Sequence, residues 1–461
     1  MKVLRCLNIF NLKAKLQSNS FFKSILLLAA GSSLGQLISL GFQPIITRIY
    51  SPEDMGVFST LLAIVSMWTV ISAGRYELAI VLPDEKKQAK AIVFLCLIIA
   101  VIVSFVAGFW YFFKYLFKFN NNALLLRNYL FLFITPLVFI NACDLIFMKI
   151  AIREKQVRGL SLSQVARQLG DKLTKVCLGY VYPRPISLII GNIIGQMIRV
   201  CVLSYFVIKS FFKNSCEVHR RDIFYVAKRY KKFPLVSSFS ALLDVASMQV
   251  PIILLSSLFS EELVGYYGLC LAVLSVPMGV IGTSIANVFV EKIARVKNDV
   301  PYVQNLTLSL FKKLLFIGTL GMSFIVMYGD IIFYLIFGKT WKFAGICAMW
   351  TAPSLVLVLV FSPLSSLFSV YEKIEKGLWL GAFSFFSSLI CIFLPYWMGM
   401  SELQVIISLA IGSLVANVVL LLAILKIIHI NYIKTLSMIF TISFPIYFLQ
   451  GIIAFFVRRL L

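Results

Sequence analysis

The stretch AIVFLCLIIAVIVSFVAGFW, residues 91–110, is twenty residues long and contains no charged side chain. Lys86, Lys87 and Lys90 precede it directly. A membrane interior offers no hydrogen bonds to free backbone groups, so an apolar run of about 20 residues crosses the bilayer as a helix. Basic residues collect at the cytoplasmic ends of such helices. The stretch therefore predicts a membrane-spanning helix that begins at the cytoplasmic surface.

The same pattern recurs along the chain, which has 461 residues and is 60% hydrophobic. It predicts an all-α polytopic membrane protein with about twelve transmembrane helices. The predicted helices are residues 24–46, 56–81, 89–113, 128–148, 160–182, 186–208, 235–259, 263–290, 314–337, 343–370, 378–398 and 402–426. A further apolar stretch at 436–457 is either a thirteenth span or a hairpin that stays at one face, because Pro445 and Gly451 interrupt it.

Basic residues alternate between the connecting loops. The loops on one side, together with the N-terminus, hold 29 Lys and Arg residues, and the loops on the other side hold 7. This asymmetry predicts that the N-terminus and the basic loops lie in the cytoplasm. The net charge of +24 follows from this topology, so nucleic acid is not an expected partner.

The sequence divides into two halves. Residues 51–58 (SPEDMGVF) and 260–267 (SEELVGYY) share the pattern S-x-E-x-x-G followed by an aromatic residue, which indicates either an internal repeat or two similar helix starts capped by serine. The basic segment 209–232 falls midway and is either a surface anchor on anionic lipid or a hinge. The predicted units are an N-terminal six-helix bundle (1–208), a basic cytoplasmic linker (209–232), a C-terminal six-helix bundle (233–428) and an apolar tail (429–461).

Charged residues inside predicted helices require an explanation, since inserting each one at the bilayer centre costs about 2.5–3.5 kcal/mol of free energy. The basic ones are Arg75, Arg167, Lys172, Lys175 and Arg199, and the acids are Glu77, Asp144, Asp171 and Asp244. In the fifth helix, polar residues recur at three- and four-residue steps and form one stripe, which must face water or protein. The stripe indicates either a cationic lumen or internal pairing of Arg167–Asp171 and Asp171–Lys175. Arg75 and Glu77, two residues apart, are not expected to share a helix face.

Enzymatic motifs are not visible. The two histidines, His219 and His429, lie in basic cytoplasmic segments, and the nine cysteines form neither a C-x-x-C pair nor a Cys/His cluster. We therefore predict neither an enzyme nor a metal or cofactor site.

Several stretches resemble the Wzx-type polysaccharide flippases of the multidrug/oligosaccharidyl-lipid/polysaccharide exporter superfamily. These are GSSLGQ (31–36), PIITRIYSPEDMGVF (44–58), RYELAIVLP (75–83), the segment 233–277, and FGKTWKFAG (337–345). The resemblance implies two six-helix bundles around a cationic lumen in the bacterial inner membrane. Asp244 departs from the family, in which a neutral, Asn-like residue is expected.

The implied activity is the flipping of undecaprenyl-diphosphate-linked oligosaccharide repeat units from the cytoplasmic to the periplasmic leaflet, for O-antigen or another surface polysaccharide. Arg167, Lys172, Lys175 and Arg199 are expected to hold the diphosphate, Arg75 to receive it and Arg48 to release it. Glu77, Asp144, Asp171 and Asp244 are candidate ion-coupling acids, with the membrane potential, protons or sodium as candidate driving forces. The polysaccharide polymerase and the chain-length regulator are expected partners.

Three alternatives remain at this stage. They are a flippase for the peptidoglycan lipid intermediate, a multidrug exporter of the same superfamily, and an O-antigen polymerase. The basic balance of the predicted lumen argues against an exporter of cationic drugs, and the short outer loops argue against a polymerase.

Overall fold

The computed structural model describes residues 20–116, 130–211, 217–276, 282–296, 299–371 and 373–460, and it contains helices and no strand in these ranges. The helices are α1 (Ser20–Ile49), α2 (Pro52–Ile71), α3 (Lys86–Leu116), α4 (Ile134–Arg153), α5 (Val157–Val181), α6 (Pro185–Phe211), α7 (Arg220–Arg229), α8 (Ser238–Leu258), α9 (Glu261–Leu274), α10 (Thr283–Val296), α11 (Val300–Phe337), α12 (Lys342–Leu364), α13 (Ser366–Val370), α14 (Ile374–Trp397), α15 (Glu402–Ile427) and α16 (Tyr432–Leu460). Short 3-10 turns at Tyr76–Val81, Leu130–Phe133 and Lys339–Trp341, and a π turn at Phe233–Ser237, join some of them.

Nine helical segments of the described residues are long and apolar enough to cross a membrane. Helix α5 has a similar length, 25 residues, but carries five charged side chains and is therefore less apolar. It packs along α1 and α6, so these helices cover its polar residues. The prediction of an all-α, multi-pass membrane protein is confirmed.

Several predicted helix bounds are wrong. The second helix ends at Ile71 rather than at residue 81, because Gly74 and Arg75 take left-handed backbone angles and a 3-10 turn follows. The ninth begins at Val300 rather than at 314, so that much of a predicted loop is helical. In the tail, α16 continues as one helix through Pro445, so the alternative of a hairpin is wrong.

Within the described residues, apolar packing forms one large cluster and three smaller ones. The large cluster runs from Leu255 to Ile428 and is formed mainly by α9, α11, α12 and α15. The smaller clusters are formed chiefly by residues 42–233. The predicted domain boundaries stay a prediction.

The two sequence repeats pack against each other. A Cβ on Gly56 of α2 would overlap the carbonyl group of Glu261, and a Cβ on Gly265 of α9 would overlap that of Pro52. Both repeats also begin helices, since the hydroxyl oxygens of Ser51 and Ser260 each accept a backbone N–H bond at 3.1 Å. The interpretation as two helix starts capped by serine is thus confirmed, the internal repeat of two halves stays a prediction, and the two glycines form a reciprocal close contact.

Candidate functional site

The polar stripe of α5 is enclosed by glycine-containing faces of two neighbouring helices. On α1, Gly31 lies against Ser161 of α5, and Gly35 lies against Gln164 and Gln168. On α6, Gly191 and Gly195 lie against the turns of α5 that carry Asp171 and Lys175. Small residues spaced four apart let helix backbones approach closely, and both glycine pairs have this spacing. The sequence therefore buries the charges of α5 between helices.

Asp171 is the carboxylate at the centre of the stripe. Its Oδ1 lies 2.7 Å from the Nζ of Lys175, and its Oδ2 lies 3.3 Å from the Nζ of Lys172. The three residues, Asp171, Lys175 and Lys172, are only 6%, 4% and 9% exposed, respectively. One carboxylate thus holds two buried cations, and the predicted Asp171–Lys175 pairing is observed.

Two aromatic residues that sequence reasoning missed fix Lys175. Its Nζ lies 4.4 Å from the ring centre of Phe58, and the hydroxyl of Tyr50 donates a hydrogen bond to its backbone oxygen at 2.7 Å. The sequence carried no signal for these contacts, since more than one hundred residues separate the partners. The spacing Gly191-x-x-x-Gly195 did carry a signal for the close approach of α5 and α6.

Arg167 does not form the internal ion pair that was the alternative to a cationic lumen. The structure gives no Arg167–Asp171 ion pair within 4.0 Å, and in the described residues Arg167 pairs with no other carboxylate either. It nevertheless lies within electrostatic range of Asp144, Lys175 and Arg199. Because Asp171 pairs with two lysines, the charge of Arg167 has no carboxylate at ion-pair distance in the described residues.

A second ion pair joins α4 to α6. The Nε of Arg199 lies 2.9 Å from Oδ1 of Asp144, and the Nη2 contacts the sulfur of Met148 at 3.6 Å. Both charged side chains are largely buried. Asp144 therefore has the interhelical cationic partner that a buried acid requires.

These groups form one electrostatic network with an excess of positive charge. Four of the predicted substrate-binding cations and two carboxylates belong to it: Arg167, Lys172, Lys175, Arg199, Asp144 and Asp171. Their formal charges leave two positive charges unbalanced. We call this set the basic network.

Unused amide oxygens lie in the same helical bundle. The side-chain oxygens of Gln36, Asn141 and Gln196 are buried and have no hydrogen-bond partner in the part of the chain that the structure describes. A buried acceptor without a partner is costly, at about 1–3 kcal/mol. Such oxygens are suited to accept hydrogen bonds from hydroxyl groups of a ligand or from water.

Arg75, Glu77 and Asp244 form a separate group. Arg75 has a φ of +58°, follows Gly74 at +57°, and places its Nη1 3.6 Å from Oε1 of the buried Glu77. The expectation that Arg75 and Glu77 do not share a face is therefore wrong, because the chain leaves the α-helix before them. Asp244 of α8 is exposed, approaches Gly381 of α14, and lies within electrostatic range of Arg75.

Arg48 stands apart from both groups. It lies exposed in the last turn of α1, where a cation is favoured by the helix dipole. The structure thus brings six of the predicted site residues together, groups three others, and leaves Arg48 alone.

Comparison with solved structures shows a shared fold. The lipid II flippase MurJ in an inward closed conformation matches 94% of this chain and 99% of its own, with a TM-score of 0.66 and 15% identity. A transporter of the MOP superfamily from Pyrococcus furiosus, described as having a binding pocket of reversed polarity, matches 88% of this chain and 95% of its own, with a TM-score of 0.59 and 15% identity. An inward-facing multidrug resistance MATE family transporter matches 87% and 94%, with a TM-score of 0.55 and 16% identity. Comparison with curated protein sequences gives no match.

A family model places the chain more specifically. The model described as "Polysaccharide biosynthesis protein" matches residues 45–344, which include both repeats and the whole basic network. The family description names polysaccharide biosynthesis, and the structural neighbours are a flippase and transporters, none of them described as an enzyme. The resemblance to Wzx-type flippases is confirmed at this level, and the chain belongs to the polysaccharide biosynthesis protein family.

Proposed function

We propose that the protein flips undecaprenyl-diphosphate-linked oligosaccharide repeat units from the cytoplasmic to the periplasmic leaflet of the bacterial inner membrane, for O-antigen or another surface polysaccharide. Its N-terminus lies in the cytoplasm, as the distribution of basic residues predicts. The polysaccharide polymerase and the chain-length regulator would act after it.

The excess charge of the basic network carries the proposal. A diphosphate diester bears two negative charges, and the network has two unbalanced positive charges among its buried and half-buried side chains. Arg167 supplies the planar guanidinium group that binds phosphate oxygens in pairs. In the absence of ligand, Asp171 pairs with Lys172 and Lys175, and Asp144 pairs with Arg199. These three cations would bind the diphosphate after their ion pairs rearrange around it.

The sugars require a different kind of contact. Hydroxyl groups of the oligosaccharide would donate to the unpartnered oxygens of Gln36, Asn141 and Gln196, which lie in the same bundle as the basic network. The polyprenyl chain would stay in lipid, because it gains nothing from a polar site.

Movement follows from the contact between the halves. By the charge asymmetry, the reciprocal contact of Gly56 and Gly265 lies at the periplasmic end, and the group of Arg75, Glu77 and Asp244 lies at the cytoplasmic end. We propose that the periplasmic contact opens as the halves rock, while Arg75 receives the diphosphate from the cytoplasm and Arg48 releases it on the other side.

The membrane potential is a sufficient driving force. It contributes about 2.3 kcal/mol per charge per 100 mV, so two negative charges leaving the cytoplasm gain about 4–5 kcal/mol. Proton or sodium coupling through Glu77, Asp144, Asp171 or Asp244 would add to this. Asp244 is the most exposed of these acids, and the resemblance to Wzx-type flippases implies a neutral residue at its position.

Complementation tests the proposal. The chain is expressed in a strain that lacks its own flippase and carries the glycan genes native to this chain, and the surface polymer is measured. Wild type restores the polymer, Arg167→Gln reduces it at least tenfold, and Arg158→Gln leaves it unchanged, because Arg158 lies exposed on the same helix outside the basic network. Equal polymer from Arg167→Gln at equal insertion would refute the role of the basic network.

Complementation of a second strain distinguishes the proposed function from the nearest alternative, a flippase for the peptidoglycan lipid intermediate. The structural neighbour MurJ is a lipid II flippase, so a peptidoglycan role predicts rescue of a strain depleted of its own lipid II flippase. The proposal predicts no rescue of that strain and full restoration of surface polysaccharide.

A further inference from the structure

A cleft between α10 and α11 lies outside the basic network and has a composition of its own. From α10 it is lined by Ile285, Phe289 and Lys292, and from α11 by Leu306, Ser309, Leu310 and Lys313. Its volume is about 370 Å³. Each helix thus contributes residues at three- and four-residue steps, so one continuous face of each helix borders the cleft.

The walls of the cleft are amphiphilic. Ile285, Phe289, Leu306 and Leu310 give an apolar interior, and both lysines are exposed. The Nζ of Lys292 lies 5.6 Å from the ring centre of Tyr302, which restrains it at the edge of the cleft. Such a site matches a ligand with an apolar chain and an anionic head, and its volume lies within the range of small-molecule sites, about 300–1,000 Å³.

The length of α11 positions the cleft relative to the membrane. A helix of 38 residues is about 57 Å long, whereas the hydrocarbon core is about 30 Å thick. The apolar span of α11 is predicted from residue 314 onward, so residues 300–313 extend to the cytoplasmic side. Lys313 therefore lies at the level of the lipid headgroups of the inner leaflet, whose surface carries negative charge.

We infer that the α10–α11 cleft binds an anionic phospholipid of the cytoplasmic leaflet, with the phosphate between Lys292 and Lys313 and part of an acyl chain against Phe289 and Leu310. The cleft is too small for a helix. The basic N-terminal segment of this chain, residues 1–23, carries five Lys and Arg and no acid, so it lacks the charge that two lysines would attract. The inference depends on the orientation of the chain and not on the substrate proposed above.

Native mass spectrometry of the full-length protein tests the inference, with phosphatidylglycerol and phosphatidylcholine titrated separately. Wild type binds phosphatidylglycerol more tightly than phosphatidylcholine. Lys292→Gln and Lys313→Gln each weaken phosphatidylglycerol binding about fivefold, and the double variant about 30-fold, since a lysine near anionic lipid contributes about 1 kcal/mol. Lys312→Gln is the matched control, because Lys312 is an exposed neighbour that does not line the cleft.

A second variant tests the apolar part without changing charge. Ser309→Trp fills the cleft and also weakens phosphatidylglycerol binding. The inference is overturned if the double lysine variant binds like wild type, or if phosphatidylcholine binds equally well. Competition by millimolar inorganic phosphate would also overturn it, because the site would then recognise free phosphate rather than a lipid.

Discussion

At the residue scale, Asp171 determines how the buried charges of α5 are arranged. It holds Lys172 and Lys175 at 3.3 and 2.7 Å. A buried ion pair contributes little net stability, but removing one partner leaves the other charge uncompensated. Asp171 therefore compensates the charges of both buried lysines.

We expect Asp171→Asn to destabilise the protein by about 3–5 kcal/mol, because two buried lysines lose their carboxylate. Thermal unfolding of the detergent-purified protein measures this as a lower Tm. Adding Lys175→Met should recover part of the loss, since Lys175 is the more deeply buried cation. An unchanged Tm in Asp171→Asn would mean that the lysines are compensated elsewhere.

Arg167→Lys distinguishes charge from geometry. Lysine keeps the charge but loses the planar fork, so flipping should fall between wild type and Arg167→Gln. A charge-assisted hydrogen bond contributes about 1.5–3 kcal/mol, which predicts a loss of about 10- to 150-fold in Arg167→Gln. Surface polymer at matched expression is the measurement, and full activity of both variants would exclude contact with the diphosphate.

Predictability at this scale depends on sequence distance. The Asp171–Lys175 pair follows from helical spacing, whereas the Arg199–Asp144 pair joins residues 55 positions apart on different helices and has no local signal. The predicted Arg167–Asp171 pair also obeys the spacing and is absent, because Lys172 and Lys175 occupy the carboxylate. Spacing identifies candidate partners, and packing selects among them.

At the scale of helices, the contact between α2 and α9 sets the closed arrangement at one end. Each glycine lies against the backbone of the other helix. Thr60 and Ser256 each donate a hydrogen bond to Glu261, at 3.0 and 2.7 Å, which ties α2 and α8 to the first turn of α9. The repeat was visible in the sequence, but the mutual contact of its copies was not, because identical patterns need not pack together.

Gly56→Val should prevent this contact from closing, since a side chain would overlap the backbone at Glu261. Ser59→Cys, placed beside Gly268, reports the opening. Labelling of the cysteine introduced at position 59 by a membrane-impermeant maleimide should be several-fold higher when Gly56→Val is also present. The same chain without the added cysteine gives the background labelling. Gly321→Val is the control, because no neighbouring atom lies within 4 Å of the point that a Cβ would occupy at residue 321, and it should leave labelling unchanged.

Helix α7 is held against the start of α3 by a contact that should depend on pH. The backbone N–H of His219 and the ammonium group of Lys87 hold the pKa of Asp222 below its ordinary value. A lowered carboxyl pKa stabilises the folded arrangement above the unfolded pKa, near 4, and this stabilisation is lost as the pH falls through the folded value. The protection factors of the α7 amides, which are corrected for the intrinsic pH dependence of exchange, should therefore be constant from pH 7 to about pH 5 and lower below about pH 4.

Asp222→Asn isolates this contact at neutral pH. The variant should exchange α7 amides faster than wild type at pH 7, because the amide side chain cannot pair with Lys87. Identical exchange would show that Val226, which is buried against the neighbouring helices, is sufficient to dock α7.

At the scale of the whole molecule, hydropathy predicted the fold class and most of the helices, because the bilayer imposes long apolar helices, whereas the orientation indicated by loop charge stays a prediction. The departures have local causes, such as the left-handed backbone at Gly74 and Arg75. How the helices enclose the charges of α5 was not predictable, since it depends on glycines of α1 and α6 that are distant in sequence. The family and the fold are consistent with a transport protein. The excess positive charge of the basic network is the reason for proposing a diphosphate-linked substrate.

Translocation in proteoliposomes is the most direct test of the proposal that the protein flips a lipid-linked repeat unit. The purified protein is reconstituted with the lipid-linked repeat unit extracted from cells that carry its native glycan genes, and periodate, which does not cross the bilayer, oxidises the sugars on the outside. We expect wild type to expose the substrate of both leaflets to periodate and Arg167→Gln to do so much more slowly. Oxidation limited to the outer leaflet, as in protein-free liposomes, would contradict it.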